Sequence, residues 1–195
     1  MDKSRRLVLA SSSPYRKALL ERLGIPFESA APHVDERPLR GEAPRDTALR
    51  LAGLKAQAVR QGYRDALIVG SDQVALADGR LLGKPGDHTS AVRQLRALSG
   101  RSAEFHTAVT LLDAANSQSQ SRIVPCKVQF RKLDDARIES YLRREQPYDC
   151  AGSAKIEGLG IALVERIETE DPTSLIGLPL IALTEMLERA GLPVI

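Results

Sequence analysis

Residues 66–77, ALIVGSDQVALA, constrain the fold more than any other stretch. The apolar run reads as a core strand, and Asp78-Gly79 supplies a two-residue hairpin turn into a second strand over Arg80–Gly83. Its middle, Gly70-Ser71-Asp72-Gln73, breaks the pattern. An Asp among aliphatic residues opposes strand propensity and costs desolvation energy unless something pairs with it. Asp72 therefore needs a partner, and the rest of the chain must bring one to it.

Ahead of this run, Arg6–Ser11 reads as a buried strand, and Ser13-Pro14 supplies an N-cap and N1 proline for a helix that Gly24 closes. Residues 44–61 read as a second helix with Ala48, Leu51, Ala52, Lys55 and Val59 on one face, which puts Lys55 on the apolar side. Thr89–Leu98 gives a third helix, stopped by Gly100. Strands over Ala103–Asp113 and Arg122–Leu133 flank a hairpin loop over Ala114–Ser121. Asp134 caps a fourth helix with Ile138, Tyr141 and Leu142 in one stripe, ended by Pro147. A strand over Leu159–Ile167, a loop over Glu168–Ser174 and a helix from about Pro179 to Ala190 follow. Helices alternate with strands at first and hairpins then break the rhythm, so an α/β fold with a mixed sheet is expected, as one domain over 1–195 with two lobes around a ligand cleft.

At 195 residues, about 70% of the unfolded surface can be buried, so Cys126 and Cys150 are not needed as a disulfide staple. The opening MDKSRR and the four apolar residues before Ser11 do not read as a signal peptide, and the longest uncharged apolar stretch, Leu175–Thr184, is about half of a membrane span. A cytoplasmic protein without membrane association is expected. The 28 Lys and Arg are set against 25 Asp and Glu without a basic block, and aromatic residues are only 4% of the chain, which argues against a nucleic-acid surface. A small anion in a local basic pocket fits better.

The Ser11-Ser12-Ser13-Pro14-Tyr15-Arg16 turn joins strand to helix, where backbone N–H groups, the helix dipole and Arg16 can meet a phosphate; an ordinary serine cap is the other reading. Gly79–Lys84 fails as a P-loop, because three residues rather than four separate Gly79 from Gly83 and Pro85 follows the lysine. Gly158-Leu159-Gly160 lacks the third glycine of a dinucleotide fingerprint. His33, His88 and His106 lie 55 and 18 residues apart, which is no zinc spacing. A catalytic metal would then be hard and oxygen-ligated, with Glu36 and Asp72 as ligands and substrate phosphates completing the shell. Lys55 and Lys84 taken singly read as snorkelling lysines. Together with Arg16 they set three cations against an acidic pair, as polyphosphate hydrolysis requires.

The blocks LVLASSSPYRKALLERLGIPF, VDE, LRLAGLKA, IVGSDQV, GKP, LSG, AGSAKIEGLG and LIGLPL, in this order over almost the whole chain, resemble the Maf family of nucleoside triphosphate pyrophosphatases. The resemblance implies a two-lobed α/β fold with a bent mixed sheet, similar to that of inosine triphosphate pyrophosphatases, and cleavage of a nucleotide to monophosphate and diphosphate. A divalent cation (Mg, Mn or Co) is expected because Arg16, Lys55 and Lys84 cannot neutralise a polyphosphate alone, and a homodimer is the candidate assembly. The family's functional positions fall on Ser11, Arg16, Glu36, Lys55, Lys84 and Asp72, the last as proton acceptor, and Ser13 is a further candidate to bind substrate. Three positions sort the family's substrate branches, here Tyr15, Gln73 and Glu157. This trio resembles the branch that hydrolyses 7-methyl-GTP rather than the dTTP/UTP branch, with one departure: that branch carries Trp where this chain has Tyr15. A methylated guanine is cationic, so an aromatic face and a carboxylate suit it. Tyr15 as a packing residue and Glu157 as a loop acid are the plain alternatives. A non-catalytic regulator of septum formation is the rival outside enzymology.

Overall fold

The computed structural model describes residues 5–195. Most of the charged MDKSRR opening, residues 1–4, lies outside the described residues. The elements run β1 (Leu7–Ala10), α1 (Pro14–Glu21), β2 (Phe27–Ala30), α2 (Pro44–Val59), β3 (Leu67–Ala77), β4 (Arg80–Leu82), α3 (His88–Leu98), β5 (Ser102–Asp113), β6 (Ser119–Phe130), α4 (Asp135–Glu145), β7 (Val164–Thr169) and α5 (Leu180–Arg189). The strands make one mixed sheet in the order β2-β1-β3-β5-β6-β7, with β4 antiparallel to β3 off this path. The α/β class and the mixed sheet are those expected. No helix among the described residues is long and apolar enough to cross a membrane.

Two compact units divide the chain. The first takes the described residues up to Gln73, with His106–Val124 and Asp171–Ile195. In it β1 lies between β2 and β3, parallel to both. Alternate residues of a strand face opposite ways. Leu7, Leu9, Leu67 and Val69 accordingly join Leu19 and Leu20 of α1 and Leu183 and Leu187 of α5 in one core. Val8, Ala10 and Ile68 pack on the other face with Ala56 of α2. Covered on both sides, β1 reads as an unbroken apolar run.

α2 approaches β3 so closely that residue 70 must be glycine, since a Cβ there would stand 2.1 Å from the Ala52 carbonyl oxygen and 2.9 Å from the Ala56 nitrogen. Two residues further along the same face comes Asp72, and between Ala52 and Ala56 on α2 comes Lys55. The glycine contact thus sets the spacing at which lysine and aspartate meet. Gly70→Ala is expected to cost about 1–3 kcal/mol in urea unfolding, as overpacking generally does. An unchanged midpoint would mean that α2 is free to shift outward.

The second unit comprises Val74–Phe105 and Pro125–Glu170. Asp87 and Asp134 cap its helices, accepting the N–H of Ser90 and of Arg137, each at 2.8 Å. α3 buries Ala91, Leu95 and Leu98, and α4 buries Ile138, Tyr141 and Leu142, on the stripes expected from their periodicity.

Three elements differ from expectation. The strand expected over Leu159–Ile167 is a 3-10 turn over Leu159–Leu163, and β7 follows only from Val164. The turn wins because its backbone donors are satisfied without a neighbouring strand: Leu159 N–H donates to Glu145 Oε2 of α4 at 2.6 Å and Gly160 N–H to the Lys155 carbonyl at 2.9 Å. β6 begins at Ser119, shortening the expected loop, because the Asp113 carboxylate accepts Ala115 N–H and the Asn116 amide and tightens the turn. β2, a half-exposed edge strand of sequence FESA, was not expected, since so short and mixed a segment carries no strand periodicity.

Candidate active site

The first unit answers the question of Asp72's partner. Lys55, on the buried face of α2, donates from Nζ to Asp72 Oδ1 at 2.6 Å, and both residues are buried. The same ammonium lies 2.9 Å from Glu36 Oε1, so one lysine gathers both carboxylates of the expected acidic pair. Glu36 itself is exposed at the end of a loop that Glu42 pins to α2, bonding Arg50 Nε at 2.6 Å, Arg50 Nη2 at 2.7 Å and Thr47 Oγ1 at 2.9 Å. Its neighbour Asp35 turns to Arg37 instead, whose guanidinium holds that carboxyl at about 2. Only Glu36 of the two faces the lysine.

Burial pushes the Asp72 carboxyl above the ordinary carboxylate range, against the pull of Lys55 and Arg16. Among the described residues no donor reaches Asp72 Oδ2, and this oxygen is not sealed from solvent. The arrangement is a lysine-bonded oxygen, an open oxygen and an environment that raises basicity.

The opposite face of β3 builds a second network. Ser71, fully buried, donates from Oγ to the Ala108 carbonyl at 2.7 Å or the Gly177 carbonyl at 2.8 Å. The Gly177 carbonyl also accepts Arg16 Nε at 2.8 Å, which aims the guanidinium. Gly177 adopts φ +117°, and a Cβ there would stand 3.4 Å from Arg16 Nε. Burial lowers the Arg16 pKa, while the nearby Asp72 and Glu36 charges act the other way. Gln73 spends its amide nitrogen on Thr107 Oγ1 at 2.9 Å and on the carbonyls of Ser174 and Leu175 at 3.0 and 3.1 Å. What Gln73 retains for a ligand is its carbonyl oxygen. Ser71, Thr107 and Gly177 carry no role in the sequence reading. Their signal was the polar break in β3 and the LIGLPL block, which becomes legible only when the Gly177 carbonyl is seen against Arg16.

At the start of α1 the serine-cap reading is realised. Ser11 Oγ accepts Ser13 N–H at 3.1 Å and Ser13 Oγ accepts Arg16 N–H at 3.3 Å. Each hydroxyl keeps its own proton for donation. Tyr15 sits half-buried in the first turn of α1. Ser11, Arg16, Glu36, Lys55 and Asp72 thus all belong to the first unit.

Lys84 and Glu157 stand in the second unit, both exposed. Lys84 lies in a loop anchored by Gln94 Nε2 donating to the Gly83 carbonyl at 3.0 Å and by Gly86 N–H donating to the Tyr148 carbonyl at 2.9 Å. The Glu157 loop is tied to α4, where Tyr141 Oη accepts Lys155 N–H at 2.9 Å and Glu145 accepts Lys155 Nζ at 2.9 Å.

His88 packs with Tyr148 and Glu139 within the second unit. No group of three or more His, Cys, Asp or Glu is gathered for a metal among the described residues. Two carboxylates sharing one lysine do suit a hard cation that keeps most of its shell for water and phosphate oxygens.

A family model described as "Maf-like protein" matches residues 6–190. The chain is 59% identical to a protein of Cupriavidus pinatubonensis over 96% of this chain and 94% of that protein. It is 59% identical to one of Thiobacillus denitrificans over 97% and 94%. A third, from Paraburkholderia xenovorans, is 54% identical over 100% and 97%. All three bear the name 7-methyl-GTP pyrophosphatase. Among solved structures, the Staphylococcus aureus Ham1 protein is similar at TM-score 0.44 and 12% identity over 65% of this chain and 72% of its own.

Proposed function

Since the chain belongs to the Maf-like family, we propose that it is a nucleoside triphosphate pyrophosphatase that hydrolyses 7-methyl-GTP to 7-methyl-GMP and diphosphate. The observation that carries the chemistry is the buried Lys55–Asp72 pair, 2.6 Å apart, with Asp72 Oδ2 open. Asp72 takes a proton from water through that oxygen as the water oxygen bonds to the α-phosphorus. The bond from α-phosphorus to the bridging oxygen breaks, and its electron pair leaves with diphosphate. Lys55 orients Asp72 and favours its ionised form. Arg16, aimed by the Gly177 carbonyl, binds phosphate oxygens, as do the hydroxyls of Ser11 and Ser13 and the ammonium of Lys84.

Arg16 and Lys55 are matched one for one by Asp72 and Glu36, which leaves a polyphosphate's charge uncompensated within this group. A divalent cation held by Glu36 and Asp72 would supply that compensation and act as a Lewis acid. Tyr15 offers a face to the cationic methylated ring and Glu157 accepts from its donor edge. Gln73 acts by holding the 174–175 backbone in place.

Purified protein incubated with 7-methyl-GTP, GTP, dTTP and UTP tests this. Diphosphate and 7-methyl-GMP should form fastest from the first, and chelator should abolish turnover. Orthophosphate as first product would overturn the reaction, faster turnover of dTTP or UTP would overturn the substrate, and no turnover at all would favour the regulator. Tyr15→Ala and Glu157→Gln should each lower kcat/KM for 7-methyl-GTP, relative to plain GTP, by about tenfold to two-hundredfold. Equal losses for the two nucleotides would remove charge reading from the mechanism.

A further inference from the structure

A cavity of about 590 Å³ opens in the second unit between α4, the end of β6 and the 3-10 turn over Leu159–Leu163. Tyr141, Leu159 and Leu163 give it an apolar floor, and Arg131, Arg137 and Arg144 line it as well. The acids of α4 form their ion pairs with other groups, Asp135 with Arg96. Glu139 is engaged by His88 and Arg143, and Glu145 by Lys155 and the Leu159 N–H. Among the described residues neither Arg131 nor Arg137 has an ion-pair partner. Arginines beside an apolar floor match an anion that carries a planar or apolar body, because guanidinium binds phosphate in fork geometry while the floor covers the rest.

We propose that this cavity is an accessory site for a small phosphate-bearing molecule, of the nucleoside phosphate class, and that its occupancy is felt by the Glu157 loop. The link is direct. Tyr141 lines the cavity and its hydroxyl accepts the Lys155 N–H; Leu159 lines it and its N–H donates to Glu145, which also holds the Lys155 ammonium. Between those two anchors lie only residues 156–158. The loop is packed closely on α4 and on itself, since a Cβ on Gly158 would stand 2.6 Å from Glu145 Oε2 and one on Gly160 would stand 2.4 Å from the Lys155 carbonyl oxygen. A ligand that shifts Tyr141 or Leu159 therefore shifts Glu157. The assignment of Glu157 to base recognition rests on the function proposed above; the binding site does not.

NMR of the whole protein tests it, following the arginine Nε–Hε signals and the amides of Lys155 and Leu159 during titration with GMP and, separately, with inorganic diphosphate. Both should move the signals of Arg131, Arg137 and Arg144, with GMP the tighter, and the two amides should follow the same saturation curve. The Arg131→Gln/Arg144→Gln double variant should bind GMP at the cavity about tenfold more weakly, as expected for lost charge-assisted contacts, while turnover without added ligand stays unchanged. Shifts confined to Arg16 would overturn the site even where the pyrophosphatase activity is intact. Diphosphate binding as tightly as GMP would overturn the nucleoside class, and arginine shifts without the two amides would overturn the link to the loop.

Discussion

Asp72→Asn should lower kcat at least about a hundredfold while leaving the protein folded, the lower end of what a positioned general base contributes. The amide keeps the carboxylate's shape and can still accept from Lys55 Nζ through its oxygen, so the 2.6 Å contact survives. What is lost is the open Oδ2 as a proton acceptor, and with it one anionic partner for a cation. Lys55 keeps Glu36 within 2.9 Å, so the variant leaves no buried charge without a counterpart, and thermal unfolding should remain cooperative. Near-normal turnover in the folded variant would remove Asp72 from the mechanism; loss of the folded state would make the residue structural.

Lys55→Met carries the largest expected effect on stability. It keeps an apolar stem on the buried face of α2 and removes the one cation that bonds Asp72. Breaking a buried pair from one side costs about 3–5 kcal/mol at neutral pH, because the remaining charge is left uncompensated. Burial already holds the Asp72 carboxyl above its ordinary value, and Lys55 is the first of the influences opposing that rise. Without it the carboxyl rises further. A carboxyl whose pKa is higher folded than unfolded contributes stability in acid and loses it as pH climbs through the folded value. The variant should accordingly be most destabilised at neutral and higher pH and recover as pH falls into the carboxylate range. The acid limb of kcat should move to higher pH for the same reason, since the base works only when ionised. Urea unfolding at several pH values, with a pH–rate profile, measures both. A stability loss independent of pH with an unmoved acid limb would show that the lysine does not govern Asp72.

Much of this was legible in the residues. The unbroken apolar run of β1, the Ser13-Pro14 start of α1 and the stripes of α3 and α4 are local consequences of periodicity and capping, which need no distant partner to act. The anomaly at residue 72 announced a paired carboxylate, and Lys55 on an apolar helix face announced a buried cation. That these two anomalies answer each other depends on Gly70, whose missing side chain lets α2 settle onto β3.

Tertiary structure alone decided the rest. The Leu159–Leu163 turn displaced a strand because Glu145, 14 residues back on α4, claims the Leu159 N–H, and no local pattern encodes where that carboxylate stands. The aim of Arg16 comes from a carbonyl 161 residues away. A backbone carbonyl has no residue signature, so its role is invisible until the chain has closed around it. The chain's own chemistry therefore determined which groups the site would contain, and long-range packing determined which oxygen of Asp72 stays open and where Arg16 points.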